Sequence, residues 1–317
     1  ISIDGVTATL EKLKIFNNTS TDGGGINISD SDIKIDNSVI YNNTASDDGG
    51  AINVVGNLNI INSSIFSNIA GSDGGGIHII GAGYKISLTK TNVNNNKSHA
   101  MGGGLAVLVD SEVVLDESVI NSNSSSQEGG GLYVSKSSKF EIKKSEISNN
   151  SGSDGGGLYL SASGIEENII VTITNSTISN NNSSAMGAAA YITSGVTTNI
   201  SNSIFWGNKS SATCNSSYTK SNFYTLGQSK TNIINIDYTD FENGKDNGAC
   251  FDQLHDLTWG NNNINIDPLF YDVDNKDYRL KLVSPVIDKG NPDFDGDGTS
   301  WLTDTDDQDP DGSRMDL

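Results

Sequence analysis

The sequence has little proline, cysteine, histidine and arginine, and it lacks any long apolar run. Its 317 residues include 4 Pro, 2 Cys and 3 His, and the arginines are Arg279 and Arg314. No apolar segment approaches the ~20 residues that a membrane-spanning helix needs, so membrane insertion is not expected. The net charge is −20. Because such a surface repels phosphate groups, nucleic acid is not expected as a partner either.

The scarcity of histidine and arginine also limits the catalytic possibilities. His78, His99 and His255 stand far apart, and the sequence shows no Ser-His-Asp order, Cys-His pair or metal-hydrolase spacing. His78 takes an outward position in a predicted strand, between Ile77 and Ile79, so we expect it at the surface. The sequence therefore favours a protein that is not an enzyme.

Two short phrases recur along the chain at a nearly constant spacing. The first, SVIYNN at residues 38–43, ends in an asparagine whose equivalents are Asn18, Asn43, Asn68, Asn96, Asn123, Asn150, Asn181 and Asn208. The second, DGGAI at residues 48–52, leads from small residues to an apolar residue whose equivalents are Ile26, Ile52, Ile77, Leu105, Leu132, Leu158 and Ala190. The step is roughly 25 to 28 residues, and a repeat of this period indicates a solenoid.

Each period contains three short stretches in which apolar and polar residues alternate. Within residues 49–76 these stretches are centred on Ile52, Leu58 and Ile65. Strands this short cannot bury a face alone, so we expect the coils to stack with equivalent strands paired in parallel. The sequence thus predicts an all-β parallel β-helix with apolar columns inside, stacked asparagines between coils and glycines at tight corners.

An acidic residue precedes the glycines in most copies of the repeat. These residues are Asp22, Asp48, Asp73, Glu128 and Asp154. Aspartate favours turns, which is one explanation of the pattern. Carboxylates in equal phase could instead act as a paired acid and base, or bind cations. Other outward positions are mostly Asn, Ser and Asp, so we expect few exposed aromatic side chains.

The two phrases together resemble the repeats of the chlamydial polymorphic outer-membrane proteins and related bacterial adhesins. The resemblance covers about residues 13–208. It implies a right-handed parallel β-helix, here of about 8–10 coils, with an irregular C-terminal cap. It also implies an extracellular or cell-surface location.

The last part of the chain has a different character. The phrases DPLF at residues 267–270, DYRL at 277–280 and SPVIDKG at 284–290 resemble the choice-of-anchor Q module, which follows β-helical repeats in bacterial surface proteins. Residues 309–317 resemble the closing phrase of that module. Val286 stands where the module usually has alanine, which is a minor departure.

The change of character divides the chain into three parts. We expect parallel β-helix repeats over residues 1–212, irregular last coils or a cap over 213–266, and an acidic choice-of-anchor-like module over 267–317. The two cysteines, Cys214 and Cys250, both follow the regular repeats. A disulfide between them would suit a secreted protein, and a pair of reduced, buried thiols is the alternative.

The sharpest local motif is DFDGDGT at residues 293–299. With Asp304, its oxygen-bearing residues stand at positions 1, 3, 5, 7 and 12, which are Asp293, Asp295, Asp297, Thr299 and Asp304. Glycine at position 6 completes the pattern of a calcium-binding loop, so we expect Ca²⁺ there. An acidic, solvated turn is the alternative. Further acids follow at Asp306, Asp307, Asp309 and Asp311.

We therefore expect an extracellular rod of a bacterial cell surface or secreted assembly, an adhesin passenger or structural element that presents a polar surface to a protein or glycan. The leading alternative is a polysaccharide-active β-helical enzyme of the pectate-lyase or glycosidase type. A further alternative is end-to-end stacking into a filament, because residues 1–10 begin a coil without a cap. The chain opens at Ile1 without an initiator methionine or signal peptide, so we expect a mature form or an excised fragment.

Overall fold

The chain winds into a stack of coils in which each period of the sequence makes one turn. The computed structural model describes residues 1–108, 110–136, 138–162, 168–211, 222–227, 230–251, 255–308 and 313–317. Ile52 pairs in parallel with Ile26 on one side and with Ile77 on the other, and Ile77 pairs in turn with Leu105. The stack has about 9 coils, which confirms the predicted parallel β-helix.

The first strand of each coil follows the glycine turn and forms what we call face one. Its strands are Ser2–Asp4, Ile26–Asp36, Ile52–Ile61, Ile77–Ile79, Leu105–Val107, Leu132–Ser135, Leu158–Ser161, Ala190–Ile192, Phe223–Thr225 and Ala249–Cys250. The strands Ile26–Asp36 and Ile52–Ile61 continue around the next corner, so faces one and two share them.

Faces two and three follow in order around the coil. Face two also contains Thr7–Glu11, Lys85–Thr89, Glu112–Asp116, Lys139–Lys143, Ile169–Thr174, Val196–Trp206, Asn232–Phe241 and His255–Trp259. Face three contains Lys14–Phe16, Val39–Tyr41, Ser64–Phe66, Asn92–Asn94, Val119–Asn121, Glu146–Ser148 and Thr177–Ser179, together with the end of Val196–Trp206.

A fourth face consists of two-residue strands. These are Thr19–Ser20, Thr44–Ala45, Ile69–Ala70, Lys97–Ser98, Ser124–Ser125, Ser151–Gly152, Asn182–Ser183 and Lys209–Ser210, and they form an eight-stranded parallel sheet. The expectation of three strands per coil missed this sheet. Two residues are too few to show an alternating pattern, and most of these residues are polar.

Side chains alternate between the interior and the surface along each strand. In Lys139–Lys143, Phe140 and Ile142 are fully buried, whereas the other residues of the strand are partly or fully exposed. Burying one such side chain contributes roughly 1.5–3 kcal/mol to the free energy of folding. Because every coil repeats the pattern, the interior is one continuous apolar column.

The recurring asparagine forms the predicted ladder at the corner between faces three and four. Asn96 donates its backbone N–H and its side-chain Nδ2–H to Oδ1 of Asn123, with both distances at 3.0 Å. Its Nδ2 also donates to the carbonyl oxygen of Ile65 at 3.0 Å. The pattern extends from Asn18 to Asn208. The ladder satisfies the backbone where each coil bends.

The first glycine of each small-residue turn is required by its backbone conformation. At Gly74 and Gly102 the angle φ is +64°, a region that residues with a Cβ rarely adopt. A Cβ on Gly102 would also lie 2.4 Å from the carbonyl oxygen of Leu105. This turn sets the direction in which the chain enters face one, with Leu105 pointing inward.

Beyond the last coil the chain folds back along the flank of the stack. Phe270–Asp272 pairs in antiparallel fashion with Asp277–Leu280. The Tyr278 hydroxyl donates to Oδ1 of Asn149 at 3.0 Å and accepts from Nδ2 of Asn180 at 2.9 Å. A second apolar cluster joins this segment to the stack and consists of Ile204, Phe270, Tyr278, Val286 and Leu317.

Helical structure is scarce in the residues that the structure describes. It comprises the α-helix Gly244–Gly248 and the 3-10 helix Thr305–Asp307. No helix in this part of the chain has the length and apolar character needed to cross a membrane.

Candidate functional site

Three of the acidic residues that precede the glycine turns bond to the backbone of the next coil. Oδ1 of Asp48 accepts the backbone N–H of Asp73 at 3.0 Å, and Oδ1 of Asp73 accepts that of Met101 at 2.9 Å. Asp154 makes the same bond to Met186 at 3.0 Å. These bonds link the turns of neighbouring coils and give the acid a structural role, while the turn preference of aspartate stays a prediction.

His78 is not at the surface, and the expectation that it would be is wrong. It lies on the outward side of Ile77–Ile79, yet only 1% of its area is exposed. Its Nδ1 is 2.8 Å from Oδ1 of Asn53 and 3.6 Å from Oδ2 of Asp48. Alternation along the strand does not reveal this environment, because both neighbours come from the preceding coil.

Burial and charge act in opposite directions on His78. Burial lowers its pKa, although the carboxylates of Asp48 and Asp73 act to raise it. Burial also raises the pKa of Asp73, against the hydrogen bond from Met101, and the charge of Asp48 adds to the rise. The imidazole is therefore neutral around neutral pH, with carboxylates beside it.

Two groups of possible metal ligands meet on this edge of the stack. One oxygen each of Asp48 and Asp73 and a ring nitrogen of His78 lie within 4.8 Å of one another, and we call these three residues the coil cluster. Asp22 and Asp47 form a second such group with Asp48. The sequence shows the acids in phase, but only the stacking of coils brings them together with the histidine.

Four tyrosines form a column at the equivalent positions of later coils. Tyr133, Tyr159, Tyr191 and Tyr224 pair in register on face one, and we call them the tyrosine column. Neighbouring ring centroids are 5.3, 5.0 and 5.0 Å apart, and the rings are stacked. The column was not predicted; Tyr191 is buried and the other three tyrosines are partly buried, so the column does not contradict the expectation of few exposed aromatic side chains. A signal for the column is present in the sequence. Three of the tyrosines directly follow the inward apolar residue of their repeat, and Tyr224 follows Phe223 in the same way.

The acidic residues of the turns also affect the pKa values of the tyrosine column. Burial raises the pKa of Tyr159, and the Glu128 carboxylate adds to the rise. Burial also raises the pKa of Tyr191 to about 12, and the Asp154 carboxylate adds to it. These hydroxyls therefore remain protonated and can donate hydrogen bonds, while the carboxylates can accept them.

The predicted calcium loop begins with three converging carboxylates. One oxygen each of Asp293, Asp295 and Asp297 lies within 4.8 Å of the others. The backbone folds around these side chains, because Gly298 donates its N–H to Oδ1 of Asp293 at 3.3 Å. Thr299 donates its N–H to Oδ1 of Asp297 at 2.6 Å. The loop thus presents closely spaced oxygen atoms of the kind that calcium prefers.

Asp304 is joined in this loop by Asp307, which was not among the predicted ligands. One oxygen each of Asp295, Asp304 and Asp307 lies within 4.8 Å of the others. Asp307 is fully buried, and its Oδ1 accepts the backbone N–H of Phe294. Its Oδ2 has no hydrogen-bond partner among the described residues. In the sequence, Asp307 is one of several late acids, and only the fold shows that it is the buried one.

A shallow groove of about 440 Å³ crosses face two near the first coils. Its lining includes Thr9, Lys34, Asn59 and Lys85, and Asp32 is the acid among its described lining residues. A glycosidase uses two carboxylates on opposite sides of the sugar. This groove therefore offers polar contacts to a ligand but not that pair of catalytic groups.

The predicted disulfide involves a residue outside the described part of the chain, namely Cys214. Cys250 ends the strand Ala249–Cys250, which pairs with Phe223–Thr225 at the end of face one. The disulfide stays a prediction, as does the reading of residues 309–312, which also lie outside the described ranges.

Comparison with known families gives two matches. The family model described as the right-handed β-helix region matches residues 56–225. The Chlamydia polymorphic membrane protein repeat matches residues 37–54. No curated protein and no solved structure gives a significant match. The two matches confirm the resemblance of the repeats, whereas that of residues 267–317 to the choice-of-anchor Q module stays a prediction.

Proposed function

Because the chain belongs to the right-handed β-helix family, we propose that it is a rod of a bacterial cell surface or secreted assembly with a structural or adhesive role. The match to a repeat of polymorphic membrane proteins supports a location outside the cell. The net charge of −20 fits this location, since a strongly charged surface keeps a protein soluble.

The asparagine ladder is the observation that carries the proposal. Each coil adds about 4.8 Å, so the stack forms a rod on the order of 40 Å long. The asparagines from Asn43 to Asn208 are buried, and each is hydrogen-bonded both to an asparagine of a neighbouring coil and to the backbone. Bending the rod would break several of these bonds at once, so the stack is stiff.

The tyrosine column is the surface that we assign to ligand contact. It combines stacked aromatic edges with hydroxyl donors and the adjacent acceptors Glu128 and Asp154. Tyrosine is enriched where proteins bind one another, because it supplies a large contact area and a polar tip. The partner is accordingly a protein or glycan on an opposing cell surface, rich in hydroxyl or cationic groups.

Calcium is the cofactor that we assign to the C-terminal segment. Asp307 offers the supporting observation, since a buried carboxylate oxygen without a partner is costly unless a cation compensates its charge. Ca²⁺ bound among Asp293, Asp295, Asp297, Thr299, Asp304 and Asp307 would hold this segment in shape. Calcium concentrations outside the cell suit such a site.

A binding experiment with cultured epithelial cells tests the adhesive role. Fluorescently labelled protein is incubated with the cells, and bound fluorescence is measured by flow cytometry. The wild type is expected to bind saturably, Tyr159→Ala to bind less, and Tyr271→Ala to bind as the wild type does. Tyr271 is the matched control because it is 61% exposed and lies outside the tyrosine column. If both variants bound equally well, the tyrosine column would not be the surface that contacts the ligand.

The two alternative functions have their own readouts. Release of unsaturated or reducing sugars from polygalacturonate would indicate a polysaccharide-active enzyme and would displace the rod proposal. Sedimentation velocity over a range of concentrations would reveal end-to-end association as species that grow with concentration. A monomer at every concentration, without sugar release, would leave the single rod as the functional unit.

A further inference from the structure

On the basis of the calcium role assigned above, we propose that the C-terminal loop binds two calcium ions that share Asp295 as a ligand, and that the more buried ion binds first. The loop contains two groups of three carboxylates. We call Asp293, Asp295 and Asp297 the outer triad, and Asp295, Asp304 and Asp307 the inner triad.

The carboxylates of the loop converge in two places. The spacing in the sequence predicts one ion, with Asp304 as the ligand at position 12. In the structure, Asp304 lies in the inner triad, and within each triad one oxygen per residue lies within 4.8 Å of the others. Opposite ligands of one calcium ion stand about 4.6–5.2 Å apart, as follows from bonds of about 2.3–2.6 Å. Each triad therefore fits around an ion of its own, and Asp295 belongs to both.

Asp307 supplies an independent indication that a cation binds here. The residue has no exposed area, and its Oδ2 has no hydrogen-bond partner among the described residues. Its Oδ1 accepts the backbone N–H of Phe294 and, at 3.4 Å, that of Asp295. The buried carboxylate thus lies directly against the residue that the two triads share. Burying such a group is costly unless a cation compensates its charge.

The charge of the loop favours two ions over one. Against the hydrogen bond from the N–H of Asp297, desolvation and the charges of Asp297, Asp304 and Asp307 raise the pKa of Asp295. Asp295 is therefore repelled by carboxylates of both triads. The two triads together contain five carboxylates, since Asp295 is common to them. One calcium ion compensates two of these charges, whereas two ions compensate four.

The backbone holds the outer carboxylates in place and leaves each of them a second oxygen. Oδ1 of Asp293 accepts the N–H of Gly298 at 3.3 Å, and Oδ1 of Asp297 accepts that of Thr299 at 2.6 Å. Oδ1 of Asp295 accepts the N–H of Asp297 at 3.1 Å. A carboxylate with two oxygens can contact two ions at once. The ligands are all oxygen atoms, which suits calcium, and its flexible shell of six to eight oxygens leaves room for carbonyl groups and water.

The two triads differ in burial, and this difference sets the order of binding. Asp307 of the inner triad is fully buried, whereas Asp295 and Asp297 are exposed. The inner ion is therefore better shielded from water, and by holding Asp295 it positions the outer triad. The outer ion depends on the inner one, but the inner ion does not depend on the outer one.

Isothermal titration of the full chain with CaCl₂, in a buffer that contains Mg²⁺, tests the number of ions. The wild type is expected to bind two calcium ions per chain, Asp297→Asn one, and Asp307→Asn none at the concentration that saturates the wild type. Asparagine keeps the Oδ1 acceptor for the backbone in both variants. Two controls are expected to bind two ions, namely Asp274→Asn, at an exposed position of the same segment, and Asp48→Asn, in the coil cluster.

Lanthanide ions measure the distance between the two sites. Two ions that share one carboxylate lie about 5 Å apart, given the bond lengths of calcium. In wild-type protein loaded with an equal mixture of Tb³⁺ and Eu³⁺, energy transfer is expected to shorten the lifetime of the Tb³⁺ emission. Asp297→Asn, with a single ion, is expected to show the unshortened lifetime, while its far-ultraviolet circular dichroism is unchanged.

The possible outcomes separate this inference from the calcium assignment itself. One ion per chain in the wild type overturns the inference and leaves the calcium assignment in place. No bound ion overturns both. Two ions without energy transfer place the second ion elsewhere and overturn the shared site. An ion retained by Asp307→Asn overturns the order of binding.

Discussion

Oδ1 of Asn68 accepts two hydrogen bonds from Asn43 in the coil before it, one from the backbone N–H at 2.9 Å and one from Nδ2 at 3.0 Å. The side chain of Asn68 thus accepts hydrogen bonds from both the backbone and the side chain of Asn43. The asparagines from Asn43 to Asn208 all have this double role, so the loss of a central one leaves partners unsatisfied on both sides.

Replacing a central asparagine of this ladder should strongly destabilise the protein. Asn96→Ala removes the acceptor for Asn68 and the donor to Asn123 and Ile65, all of them buried. Because each unsatisfied buried group costs about 1–3 kcal/mol, we expect the free energy of unfolding to fall by about 3 kcal/mol or more. Urea denaturation measures this. Asn59→Ala, at an exposed position, should change it by less than about 0.5 kcal/mol. A similar loss in both variants would contradict the structural role of the ladder.

Substituting the first glycine of the turn should destabilise the protein for two separable reasons. Gly102→Ala places a Cβ at φ +64° and within 2.4 Å of the Leu105 carbonyl oxygen. Gly5→Ala has a similar φ of +63° but meets no atom within 4 Å. We expect Gly5→Ala to cost about 1–2 kcal/mol through backbone strain and Gly102→Ala clearly more, measured as the fall in melting temperature. If the two variants melted together, the close contact would have no energetic effect.

Calcium should raise the melting temperature through Asp307. At a concentration 100 times its Kd, Ca²⁺ would stabilise the native state by about 2.7 kcal/mol. Asp307→Asn keeps the Oδ1 acceptor for Phe294 but removes the charge, so we expect this gain to vanish. Asp274→Asn, at an exposed position in the same segment, should keep it. Scanning calorimetry with calcium and with EDTA makes the comparison, and an equal gain in both variants would exclude Asp307 as a ligand.

Asp240 should make stability fall as pH rises. Burial raises its pKa to about 7, against the N–H of Ile266, and the charges of Asp267 and Glu242 add to the rise. Between the unfolded pKa of about 4 and the folded value, the native state binds the extra proton. The free energy of unfolding therefore decreases across this window, by at most about 4 kcal/mol.

The pH dependence of urea unfolding in a variant isolates this effect. Asp240→Asn should lose the decrease between about pH 4 and 7 and be more stable than the wild type at pH 8. Asp246→Asn, at an exposed position nearby, should keep the wild-type profile. Parallel profiles for the wild type and Asp240→Asn would show that Asp240 does not titrate in this window.

Much of the fold could be predicted because a repeat multiplies weak signals. The pattern around Ile52 is ambiguous by itself, but its recurrence at Ile77 and Leu105 fixes the period, the inward face and the register. The same recurrence identified the asparagine ladder. The strand Thr44–Ala45 escaped prediction, since its length carries no period.

The sites were less accessible to sequence reasoning, because they depend on neighbours from other coils. The calcium loop is local, so Asp293, Asp295 and Asp297 could be named, and their convergence is present in the structure. Asp307 could not be singled out, since nothing in its local sequence indicates that it is buried. His78 was placed at the surface by strand alternation alone.

The sequence by itself determined the period, the interior columns and the acidic character of the rod, because these follow from which residues recur at equal steps. The tertiary structure alone decided that the turn of Asp48 lies beside His78 and that four tyrosines stack on the same column. The physical reason is the rise of about 4.8 Å per coil, which makes residues more than 20 positions apart into nearest neighbours.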